Sequence, residues 1–121
     1  MVPVDIRKRA FQYALRAIRL FRHLRREKEW AGWIIGEQFL KSATSIGANI
    51  EEAQSAESRA DFIHKMAIAQ KESRESLYWL KLLAESELIA HAKLEPLLKE
   101  TDEIIAVITR IIVNSKKGRG H

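Results

Sequence analysis

The chain has 121 residues, 21 Lys plus Arg against 16 Asp plus Glu, and a formal charge of +5 at neutral pH, a size that fits one domain with a core of its own. It contains no Cys, which excludes a disulfide scaffold, a thiolate nucleophile, an iron–sulfur cluster and a Cys-containing zinc site. Five Gly and two Pro are too few for a turn-rich β-sandwich or a low-complexity chain.

The charge is uneven. Residues 1–28 hold nine basic and two acidic residues, a local balance of +7, and residues 110–121 add four basic ones, so the stretch between carries −6. Basic ends around an acidic middle bear on partners more than on fold.

The first segment, about 5–26, places Ile6, Ala10, Tyr13, Ala14, Ala17, Ile18, Phe21 and Leu24 at three- and four-residue spacings, as a core-facing helix stripe requires. At 100° per residue, Lys8, Arg9, Arg16, Arg19, Arg22, His23 and Arg26 gather opposite it, within roughly 140°.

The second segment, about 30–54, interleaves Trp30, Trp33, Ile34, Phe39, Leu40, Ala43, Ile46 and Ile50 with polar residues. Its centre, Ser42-Ala43-Thr44-Ser45-Ile46-Gly47-Ala48-Asn49, is rich in residues that lower helix propensity or compete for backbone hydrogen bonds. It reads as a helix whose neighbours come close.

Ser58-Arg59-Ala60-Asp61 opens the third segment, about 59–85, as a capping-box-like start in which Ser58 accepts from the Asp61 amide. Phe62, Met66, Ala69, Ser73, Ser76, Leu80 and Leu83 alternate at 3-4 spacing, and Ile63, Ala67, Gln70 and Leu77 widen that seam. With Tyr78 and Trp79 added, the apolar girth suggests a second burial surface and hence oligomerisation.

The fourth segment, about 93–114, tolerates Pro96 only inside its first turn. Its stripe is Leu94, Leu97, Leu98, Thr101, Ile104, Ile105, Ile108, Ile111 and Ile112. Residues 115–121, with Lys116, Lys117 and Arg119, bury nothing and are expected to be a disordered basic tail. Short links favour antiparallel neighbours. The predicted fold is an all-α, antiparallel, up-down-up-down four-helix bundle, a single domain over residues 1–114.

Little in this pattern supports catalysis. A di-iron bundle needs two Glu-x-x-His motifs, and the one carboxylate-x-x-His here is Asp61 to His64. Ser42, Thr44 and Ser45 have no His in their segment and no strand-to-helix elbow. Gly32, Gly36 and Gly47 lack phosphate-loop spacing. The expectation is a protein that is no enzyme, with no cofactor and no metal.

No apolar run approaches the roughly 20 residues of a membrane-spanning helix. Residues 1–6 lead straight into Arg7, Lys8 and Arg9 rather than into the apolar core of a signal peptide. A soluble cytoplasmic protein without a membrane partner is expected.

The basic face of the first segment has three readings: a plain solvated surface, a phosphate-binding surface, and a membrane-surface helix. The last ranks lowest, because the apolar side is needed for the bundle. Nucleic acid, RNA or DNA, is the leading partner, through Arg16, Arg19, Arg22 and Arg26 with Lys116, Lys117 and Arg119 of the tail. The alternative is an adaptor whose basic surface meets an acidic protein. Asn49, Glu52, Gln70, Glu72, Glu75 and Tyr78 are a polar group suited to converging between the second and third helices, more simply as a set that fixes register than as a site. Trp30, Trp33 and Trp79 read as core or interface anchors rather than as stacking platforms.

Residues 38–83, through Ser42-Ala43-Thr44-Ser45-Ile46-Gly47-Ala48-Asn49-Ile50 and Glu75-Ser76-Leu77-Tyr78-Trp79-Leu80-Lys81-Leu82-Leu83, resemble the four-helix-bundle proteins encoded in intervening sequences of bacterial 23S rRNA genes. The resemblance implies a homo-oligomeric ring, a pentamer in that family, and no enzymatic activity. It also implies kinship with the accessory proteins of diversity-generating retroelements, whose partners are nucleic acid and a reverse transcriptase. The family's polar and aromatic positions carry over to Asn49, Glu52, Glu72, Glu75, Tyr78 and Trp79. A proline-containing link before the second helix is common there; this chain has Glu27-Lys28-Glu29-Trp30-Ala31-Gly32 instead.

Overall fold

The computed structural model describes residues 4–118 as four α-helices, α1 (Val4–Arg26), α2 (Trp30–Gln54), α3 (Arg59–Glu85) and α4 (His91–Lys116), with no strand among them. Contacts between successive helices pair rising numbers on one with falling numbers on the next. Arg7 meets Glu51 and Leu24 meets Gly36 across α1 and α2. Glu52 meets Lys65 and Ser42 meets Ser76 across α2 and α3, while Arg59 meets Gly118 and Gln70 meets Thr109 at α3 and α4. The helices therefore run up, down, up and down, as short links dictate.

Caps explain where the helices begin and end. The Ser58 hydroxyl accepts the Asp61 amide at 3.0 Å, and the Asp61 carboxylate accepts the Glu57 amide at 3.2 Å, so two orphan donors at the start of α3 are satisfied. The α3–α4 link turns through Glu87, whose φ of 62° is left-handed and costs a non-glycine residue roughly 1 kcal/mol. That turn lets the amides of Glu87 and Ile89 reach the Ala84 and Leu83 carbonyls.

The small centre of α2 stays helical because its hydroxyls bond within their own helix. Thr44 donates to the Leu40 carbonyl and Ser45 to the Lys41 carbonyl, both at 2.8 Å. Close approach is concentrated at Gly36, where a Cβ would come 2.7 Å from Leu24 Cδ1; at Gly47 the nearest atom, Ala10 Cβ, would lie at an ordinary 3.6 Å.

The core is built from the expected stripes, including Ile6, Tyr13 and Leu24, Phe39, Ile46 and Ile50, Met66, Leu80 and Leu83, and Leu94, Ile104 and Ile108. Ile18 departs from its stripe and is 40% exposed, since it lies about 120° around the helix from Leu24. Two boundaries of α4 also differ from expectation. The helix starts at His91, so Pro96 sits in the second turn rather than the first. Pro96 cannot bond the Ala92 carbonyl, but Ala92 is exposed and water can serve that oxygen. At the other end the helix continues through Ser115, only 3% exposed, to Lys116. Ser115 continues the Ile108, Ile111, Ile112 spacing, so the expected tail loses its first two residues to the helix. Arg119 and the rest of the tail lie outside the described residues.

Candidate nucleic-acid interface

Burying Ile6, Ala10, Tyr13, Ala17 and Leu24 against the bundle turns the polar side of α1 outward. Two arginines of its first turns end on carboxylates of other helices. Arg7 makes a bidentate pair with Glu51 of α2 (2.9 and 2.8 Å). Arg9 makes one with Glu100 of α4 (3.0 and 2.7 Å) and approaches Glu103 at 3.5 Å. Such forks are strong and geometrically exacting. Arg7 holds the Glu51 carboxyl below the usual range, chiefly through its hydrogen bond, and each guanidinium is held more firmly protonated by its carboxylate.

Beyond Tyr13 the pattern changes. Arg19, Arg22 and Arg26 are exposed and Arg16 is half-buried, and none of the four forms an ion pair with a described residue. Spaced over ten residues, they extend about 15 Å along the helix, the span of roughly four phosphates of one duplex strand. Exposed arginines such as Arg19, Arg22 and Arg26, with no carboxylate to displace, are suited to charge-assisted contact with phosphate.

The α1–α2 corner is fixed by Trp33. Its indole N–H lies 3.0 Å from the Leu24 carbonyl and 2.9 Å from the Glu27 carbonyl, so it donates to the open end of α1, and the Arg25 guanidinium stacks 4.4 Å from its ring centroid. Trp30, by contrast, is 67% exposed, the most of any large apolar side chain described.

The tail cations do not join the arginines of α1. Gly118 sits against Arg59, and Glu52 and Lys65 meet nearby in the chain, so Lys116 and Lys117 occupy the end that holds the start of α1. Arg22 and Arg26 are at the opposite end, on the order of 30 Å away for helices of this length.

The expected polar group between α2 and α3 does not converge. Asn49 donates to the Ser45 carbonyl of its own helix at 2.8 Å, Gln70 reaches Thr109 of α4 at 2.8 Å, and Glu52 meets Lys65 only at 4.0 Å. Glu72 and Glu75 are half-buried neighbours on α3; burial and then the Glu75 charge hold the Glu72 carboxyl above its ordinary value. The Trp79 indole donates weakly to Glu75 at 3.4 Å and packs edge-on to Tyr78.

The polar layer that does form lies deeper. Tyr13 Oη and Thr101 Oγ1 are 2.6 Å apart and Ser42 Oγ and Ser76 Oγ 2.8 Å apart. One hydroxyl from each helix thus meets in the core, all four at most 1% exposed. Burial pushes the Tyr13 phenol far up, outweighing its hydrogen bonds. Sealed and hydrogen-bonded, these groups are not available as nucleophiles. The 3-4 seam already contained Ser76 and Thr101, but pairing residues 88 apart in sequence has no local signal. Phe11, also unforeseen, is 63% exposed over a groove of about 460 Å³ between α1 and α2 lined by Ala14, Thr44, Gly47 and Ala48. Among the described residues no group of three His, Asp or Glu is placed to hold a metal, and no helix is long and apolar enough to cross a membrane.

Comparison with known proteins agrees with this architecture. A search of curated proteins finds no match. A crystal structure described as a protein of unknown function from the S23 ribosomal protein family of Bacteroides thetaiotaomicron is 41% identical, covering 88% of this chain and 97% of that one with a TM-score of 0.83. Neither that description nor the matching family model names an enzymatic activity. The model for the 23S rRNA-intervening sequence protein family spans residues 3–110, and the chain belongs to that family.

Proposed function

We propose that this chain is a non-enzymatic, self-associating bundle that binds nucleic acid through the outer face of the last three turns of α1. One observation carries the reading: Arg19, Arg22 and Arg26 are exposed and form no ion pair with a described residue, while Arg7 and Arg9 at the start of the helix are committed to carboxylates. A family named for an intervening sequence of ribosomal RNA is a context in which such a surface has RNA within reach. Contacts to phosphate alone position a backbone without reading bases, so weak sequence dependence is expected. Self-association is supported by Phe11, Ile18, Ile34 and Tyr78, large apolar side chains left 40% or more exposed.

Titrating a short structured RNA at increasing salt tests the binding. The logarithm of the affinity should fall linearly with the logarithm of salt, and each neutralised arginine should reduce that slope by about 1. Failure to bind at low salt, or indifference to charge reversal at Arg19 and Arg22, refutes it; an acidic protein partner would then be the reading left for this face. A monomeric mass by light scattering at micromolar concentration would contradict self-association.

A further inference from the structure

The corner between α1 and α2 holds a feature that phosphate binding does not use. Trp30, the first residue of α2, is 67% exposed, and Ile34, one turn further along, is 55% exposed. Trp30 has no hydrogen bond and no ring partner among the described residues. The backbone beneath it is rigid, because the Trp33 indole bonds two carbonyls at the end of α1 and carries Arg25 on its face. Around it in sequence stand Arg22, Arg25, Arg26 and Lys28 against Glu27 and Glu29. The Glu29 carboxylate caps α2, accepting the Ala31 amide at 3.2 Å.

An indole open to water, within eight residues in sequence of four cations, matches a nucleotide whose phosphate meets charge and whose base meets a π-face. Within a duplex each base is already stacked and the Trp would gain nothing. We infer that Trp30 is a stacking platform for an unpaired nucleobase, so that the corner selects single-stranded segments, RNA or DNA, over duplex. This rests on the reading of α1 as a phosphate-binding face and adds to it the state of the nucleic acid.

The experiment compares wild-type chain, Trp30→Ala, Trp30→Phe and Arg19→Glu/Arg22→Glu on four probes at one low salt concentration. These are a single-stranded RNA, a DNA of the same sequence, a strand of equal length with abasic sites, and a duplex. The wild type should prefer both base-bearing strands to the abasic strand and the duplex by about 5-fold to about 100-fold, the scale of one stacked base. Trp30→Ala should lose that preference while holding all four probes about equally and melting as the wild type does, and Trp30→Phe should restore most of it. An unchanged preference in Trp30→Ala, or no preference in the wild type, overturns the inference. If Arg19→Glu/Arg22→Glu still weakens every probe, that failure leaves the phosphate-binding reading standing. Should no probe bind the wild type, both fall; a Trp30→Ala change confined to oligomeric mass assigns the indole to a protein interface and overturns the inference as well.

Discussion

Two halves of the same helix treat their polar groups in opposite ways. Arg7, Arg9 and Tyr13, in the first half of α1, each end on a partner in another helix: Glu51, Glu100 and Thr101. Arg16, Arg19, Arg22 and Arg26, in the second half, end on no carboxylate among the described residues. A bidentate pair between helices fixes their relative placement, and an exposed, hydrated guanidinium does nothing for the fold. The difference separates positions whose loss should be felt as stability from positions whose loss should be felt only by a ligand.

Four variants can break that division. Arg19→Glu/Arg22→Glu should weaken RNA binding by about 100-fold, about 2.7 kcal/mol, with the melting temperature unchanged; a large drop in stability would mean the second half is structural after all. Tyr13→Phe should cost about 2 kcal/mol in denaturant unfolding, because Thr101 would lose its buried phenol partner, and should leave binding alone once corrected for folded fraction. Arg9→Ala should cost about 1 kcal/mol, a part-buried pair being still partly screened by water, again without effect on RNA affinity.

The smallest effect is expected at the exposed Arg7–Glu51 pair and has a pH signature. The Glu51 carboxyl titrates lower in the folded chain than in the unfolded one, so the pair contributes stability above the ordinary Glu value and loses it as pH falls through the lowered one. The difference in melting temperature between wild type and Arg7→Ala should therefore be present at neutral pH and close well below about pH 4. A difference that persists unchanged in acid would show that Arg7 acts by packing rather than by charge.

Much of the fold is legible in the sequence, because helical spacing of apolar residues reports burial directly. Ile6, Met66 and Ile108 lie where the stripes place them, and the Ser58 cap forms as its spacing requires. The start of α4 is not legible, since the rule that confines Pro to a first turn assumes that the freed carbonyl is short of water, and Ala92 is exposed. Ser115 misleads in the opposite direction, a small hydroxyl in an apolar stripe being read as the beginning of solvent.

The candidate site is legible in part. The charge asymmetry of α1 is visible as spacing, but which arginines find carboxylates depends on Glu51 and Glu100, 44 and 91 residues away. Asn49 shows the converse limit, for a polar residue on a helix can satisfy itself on the carbonyl one turn back and need not seek the neighbours a pattern offers. Trp30 belongs to the apolar set of its segment by type, and only the three-dimensional corner shows that this indole faces water.

The hydroxyl layer of Tyr13, Ser42, Ser76 and Thr101 works as a vernier between the helices. Sliding α1 or α4 by one turn, about 5.4 Å, would exchange apolar for apolar along most of the seam at little cost, yet would strand the buried Tyr13 phenol, whose partner is Thr101. A core of aliphatic side chains alone admits such neighbouring alignments. With the layer present only one height is satisfied, so the outward residues of α1 can change character without altering the level at which the helices meet.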